Sequence, residues 1–117
     1  MPDRPIKTFA AWRSLFEEGP EVAVDAVLSQ LEATNLGDRA SVFAHLPSRD
    51  SLLEAFRRAE GATGPLRGIP LAVKDNFDMA GWVTRGGSSF YEKVYPKPEN
   101  DANLVADCRN LGAVPTA

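Results

Sequence analysis

The run "RGIPLAVKDNFDMAG", residues 67 to 81, constrains this chain more than any other. Ile69 to Val73 reads as a buried strand, five residues with no polar side chain among them. A strand cannot satisfy its own backbone, so it requires a neighbour in a sheet. Most of the surrounding segments have helical rather than strand periodicity. A sheet with helices against it, an α/β arrangement, is the architecture that accommodates both. The strand also sorts its side chains. Ile69, Leu71 and Val73 point one way, and Ala72 and Lys74 the other. Lys74 thus stands at the end of an apolar strand, followed by Asp75 and Asn76. Burying an ammonium is costly unless it is paired or gives up its proton.

The elements around that strand are read from period and caps. "TFAAWRSLFEEG" predicts a short helix with Thr8 as N-cap and Gly19-Pro20 as its stop. Phe9, Trp12 and Phe16 are expected on one face. "PEVAVDAVLSQLEATN" predicts a second helix whose Val24, Val27, Leu28 and Leu31 form an apolar stripe, ending at Asn35 to Gly37. "ASVFAHL" reads as a brief strand before Pro47. "SRDSLLEAFRRAEG" predicts a third helix. Ser48 is its N-cap, Asp50 suits its positive end, Arg57-Arg58 suit its negative end, and Gly61 stops it. Gly64, Pro65, Gly68 and Pro70 are turn chemistry at the strand entrance, matching neither a P-loop nor a dinucleotide fingerprint. Asp75 to Asn100, with Gly81, Gly86, Gly87, Pro96 and Pro98, reads as loop with short extended pieces. "NDANLVADCRNLG" predicts a last helix with Leu104, Cys108 and Leu111 on its apolar stripe, closed by Gly112. "AVPTA" then looks like the start of another strand.

Composition removes several function classes. At 117 residues there is room for one small domain. Hydrophobic residues make up 44% and charged residues 25%, as in an ordinary globular protein. The net charge of -3, with no basic cluster beyond Arg57-Arg58, argues against nucleic acid as a partner. Cys108 is the sole cysteine and His45 the sole histidine. An internal disulfide, a Cys/His metal site and a histidine-based triad are therefore excluded within this chain. No cofactor is implied. No apolar run approaches the roughly 18 residues of a membrane span, and the amino terminus has no signal-peptide core. The expected compartment is the cytoplasm.

Two features could carry chemistry. A lysine at the carboxyl end of a strand lies where open α/β sheets place their ligands. If burial lowers its proton affinity it can act as a general base. Moving it from about 10.4 to about 7 requires roughly 4–5 kcal/mol of environment. Otherwise Lys74 is an ordinary strand-end lysine reaching water or pairing with Asp75 or Asp78. "TRGGSS", Thr84 to Ser89, could open space around a nucleophilic serine. It does not fit the G-x-S-x-G pattern, and a glycine turn with capping serines accounts for it. Cys108 and His45 read as structural.

Together, "GPLRGIPLAVKDNFDMAGWVTRGGSS" and the later "NDANLVADCRNLGAV" resemble the amidase signature family. The resemblance is specific from about Gly64 to Val114 and weaker upstream. It implies a hydrolase of carboxylic amide C–N bonds using a Ser–cis-Ser–Lys triad on a mixed sheet flanked by helices. Lys74 matches the family lysine, which would be buried and neutral in the resting enzyme. The family's two serines lie further along than this chain extends, so their roles are not assigned to Ser88 or Ser89. Residues 1–117 are expected to be the amino-terminal part of a single amidase-type domain, with amino-terminal helices followed by the first strands of the sheet. Such a piece alone is expected to be inactive. The implied partners are a small-molecule amide and the carboxy-terminal remainder of the domain; a homodimer is compatible with this reading. A subunit of a tRNA-dependent amidotransferase is the alternative within the family, and a non-catalytic truncated remnant the alternative outside catalysis.

Overall fold

A computed structural model describes residues 5–34 and 42–117. The first helix, α1, spans Phe9–Glu18 and opens as expected, with the Thr8 hydroxyl accepting the Ala11 amide at 3.1 Å. Gly19 ends it, and α2 follows at once over Pro20–Thr34. The expected stop of α2 at Asn35 to Gly37 lies outside the described residues. Helix α3, Arg49–Ala59, starts at Ser48, whose side chain accepts the Ser51 amide, and carries Arg57 and Arg58 in its last turn. Ion pairs Arg49–Asp25 and Arg57–Glu21 join α3 to α2 at 3.1 and 3.2 Å. Both are exposed and contribute little.

Side-chain packing holds these three helices. Phe16, Val24, Val27, Leu31, Leu52, Phe56 and Ala59 form one buried cluster, joined by Ala23 and Val114. Phe56 is wholly buried, and its ring lies 6.1 Å from that of Phe16. Burying such a side chain contributes about 1.5–3 kcal/mol. The expected stripe of α2 is therefore the inner face. On α1 the expectation holds for Phe16 and in part for Trp12, but Phe9 is 58% exposed. Phe9 is the first residue of the helix.

The strand expected at Ile69 to Val73 pairs with the end of the chain. β1 (Pro70–Leu71) and β2 (Val114–Pro115) run parallel, Pro70 beside Val114 and Leu71 beside Pro115. Hydrogen bonds extend the pairing: Val114 donates to Ile69, Thr116 to Leu71, and Val73 to Ala117, at 2.7–2.8 Å. The bonding positions along β1 are odd-numbered, and the donating amides along β2 are even-numbered. Pro70 and Pro115, which have no N–H to give, fall at the alternate positions where none is needed. Gly68 makes the entry turn with φ of +74° and sits against the Phe16 ring, where a Cβ would collide with it.

Three expectations are corrected. Residues 42–46 of the expected strand "ASVFAHL" form no regular structure. Among the described residues no strand pairs with them, and a side-chain donor holds the Ala44 carbonyl instead. The expected loop from Asp75 to Asn100 contains a short helix, α4 (Ser89–Val94). It is a single turn and a half, too short for a hydrophobic period to show. The last helix, α5 (Asn103–Asn110), is found, but turned: Leu104 is 57% exposed and Leu111 is exposed, Cys108 is half-buried, and Val105 is the buried residue. The helix is oriented by the Arg109–Asp101 ion pair (2.8 Å) at its side and by the continuation into β2, not by its most apolar stripe.

Candidate functional site

Lys74 follows directly on Val73, the last paired residue of the β1 edge. Its carbonyl accepts the Phe77 amide at 3.0 Å, so the chain turns immediately after it. The lysine side chain is exposed and makes no ion pair among the described residues. Neither Asp75 nor Asp78 pairs with it. Lys74 instead lines an open cleft of about 380 Å³, with Phe43, Ala72, Trp82, Thr84 and Gly87 on its other walls.

Each wall has its own support. Asp75 accepts the Arg85 amide on Oδ1 at 3.2 Å, and its carbonyl accepts the Gly86 amide at 2.8 Å. The Arg85 guanidinium spreads outward, donating to the Ala44 carbonyl at 3.1 Å and pairing with Glu92 at 3.3 Å. One residue thereby joins the irregular 42–46 segment, the glycine turn and α4. The His45 ring packs against Trp82 with ring centres 4.1 Å apart and planes tilted by 50°. Burial against its neighbours, and then the positive charges of Arg85 and Lys97, hold the His45 pKa below its ordinary value, so the ring is neutral at pH 7. The far wall hangs from Asp101, which accepts the Ala80 amide at 2.8 Å while pairing with Arg109. Thr84 donates to Asp78 at 2.7 Å.

The glycine-serine run has a structural occupation. Gly86 and Gly87 take positive φ of 56° and 82°, and the Ser88 hydroxyl caps α4 by accepting the Phe90 amide. This is a glycine turn leading into a capped helix. The grips made by Asp75, Arg85 and Asp101, and the tilted His45–Trp82 contact, were not legible from spacing. Each joins residues distant in the chain and obeys no period. Among the described residues no group of three His, Cys, Asp or Glu side chains could hold a metal ion. No described helix is long and apolar enough to cross a membrane.

The surroundings of Lys74 fall within a longer region of similarity. A glutamyl-tRNA(Gln) amidotransferase subunit of Cereibacter sphaeroides is 33% identical over 111 residues, which cover 92% of this chain and 22% of that protein. The corresponding subunit of Bordetella bronchiseptica is 34% identical over 109 residues, 90% of this chain and 21% of the relative. Urea amidolyase of Saccharomyces cerevisiae is 35% identical over 92 residues, 74% of this chain but 5% of that protein. The chain thus spans about a fifth or less of the length of these relatives. Residues 22–117 match the Amidase family, a stretch running from α2 through the lysine-bearing strand to the last residue, and the chain belongs to that family.

Proposed function

We propose that this chain supplies the lysine of an amidase that cleaves carboxylic amide C–N bonds. Lys74 is the general base of a Ser–cis-Ser–Lys triad. The observation that carries the reading is the placement of Lys74: at the carboxyl end of a paired strand, on the wall of a cleft, with no carboxylate partner among the described residues to hold it protonated. Both serines belong to residues beyond this chain. In the working enzyme the rest of the domain covers the cleft and removes water from around the Lys74 side chain. The bridging serine then passes the proton of the nucleophilic serine to Lys74. The nucleophile attacks the amide carbonyl, the amine leaves with a proton, and water resolves the acyl-enzyme. The partners are the amide substrate and the remainder of the domain, with self-association into a homodimer compatible. The reaction requires no cofactor, and the compartment is the cytoplasm.

A second reading has its own support. Two of the relatives above are named as subunits of a glutamyl-tRNA(Gln) amidotransferase. In that case Lys74 has the same chemical role and water still resolves the acyl-enzyme, but the ammonia that leaves is delivered to another subunit's substrate.

The experiment is substitution of Lys74 in the intact protein, expressed from its complete reading frame. Lys74→Ala should abolish acyl-enzyme formation. Lys74→Arg should fail nearly as completely, because a guanidinium stays protonated. A thermal melt of each variant serves as the folding control. Retention of most activity by Lys74→Arg would falsify the base assignment. The same assay on residues 1–117 alone should show no turnover.

A further inference from the structure

Asp75 is a half-buried acceptor that the lysine chemistry does not use. Its two grips land on consecutive amides: Oδ1 on that of Arg85 and the backbone carbonyl on that of Gly86. The second carboxylate oxygen, Oδ2, is buried and accepts no hydrogen bond among the described residues. Withholding a carboxylate oxygen from water without a partner is unfavourable. An apolar side chain would pack there without that penalty, so the acid is explained by what Oδ1 holds. From Arg85 the connection continues outward to Ala44 and Glu92, and the glycine turn that follows contributes Gly87 to the cleft. The rim of the cleft thus hangs from the residue adjoining Lys74.

We propose that Asp75 is a positioning residue, which fixes the Arg85–Gly87 turn against the strand end and so limits where the Lys74 side chain can place its nitrogen. This rests on the proposed role of Lys74. The important property of Asp75 is an acceptor oxygen at the Oδ1 position, not its charge. An asparagine retains that oxygen.

The test compares Asp75→Ala with Asp75→Asn in the intact protein. Hydrogen exchange at the Arg85 and Gly86 amides is measured together with kcat and KM on a simple aryl amide. Asp75→Ala should speed exchange at Arg85 by up to about tenfold, the scale of one lost hydrogen bond, and lower kcat about as much while KM changes little. Asp75→Asn should restore both towards the wild-type values. Asp75→Ser, too short to reach the Arg85 amide, gives the same contrast if the alanine variant does not fold. The proposal is overturned if the alanine or serine variant leaves exchange and kcat unchanged, or if asparagine is as damaging as alanine. If the wild-type protein turns over no amide, the lysine reading fails; the exchange contrast still decides whether Asp75 holds the turn.

Discussion

The helical layer of α1, α2 and α3 and the stretch from Lys74 to Ala102 are built by different forces. In the first, side chains of several helices meet in one apolar cluster, and polar contacts such as Arg49–Asp25 sit outside it in water. In the second, backbone amides hang from the carboxylates of Asp75 and Asp101, while Phe90, Tyr91 and Tyr95 remain exposed. Met79 is the exception, buried beneath the cleft. Apolar burial is additive and tolerant of small shifts. A hydrogen bond to a half-buried carboxylate is directional and can be lost through a single atom. The helical layer therefore sets whether the chain folds, and the polar grips set the shape of the site.

The largest break in that comparison should come from Phe56→Ala. Emptying a fully buried aromatic position in the helical layer should cost about 3–5 kcal/mol. Chemical denaturation of the intact protein, followed by far-ultraviolet circular dichroism, checks it. A loss below about 1 kcal/mol would mean that the cluster does not carry the fold. Next comes a matched pair of glycines. Gly68→Ala meets both a positive φ and the Phe16 ring, and should cost about 2–4 kcal/mol. Gly86→Ala meets a positive φ but open space, and should cost about 1 kcal/mol. Equal losses in the two melts would show that the glycine turn is packed as tightly as the core, and the distinction between the regions would collapse.

What could be read in the sequence follows the same division. The α2 stripe, the Thr8 and Ser48 caps and the strand at Ile69 to Val73 were legible because local period and local hydrogen bonding determine them. The segment "ASVFAHL" misled because an apolar run carries no information on whether a strand partner exists; its described residues lie as irregular chain across the cleft. Helix α5 misled because Leu104 in its first turn and Leu111 at its C-cap are apolar yet exposed, while Asp101 and β2 decide which way it faces. Lys74 was legible as a strand-end residue. Its place on a cleft was not, since residues from 42 to 87 and Ala117 form the walls.

The parallel pairing of β1 with β2 also bears on the order of events during folding. Not one rung between Pro70 and Val114 can form until the whole intervening segment has been gathered in, at the entropic cost of closing a long loop. The contacts of α1 with α2 need no such closure, because Gly19 alone separates the two helices. Val114 belongs to the helical cluster as well as to β2, so it docks onto a surface that the helices have already made. The hypothesis is a sequence in time: helices first, β2 second, and the strand end bearing Lys74 last. Pulse-labelled hydrogen exchange during refolding should protect α2 amides before those of Val114 and Val73. Simultaneous protection would show a single concerted step, with the lysine placed as early as the core.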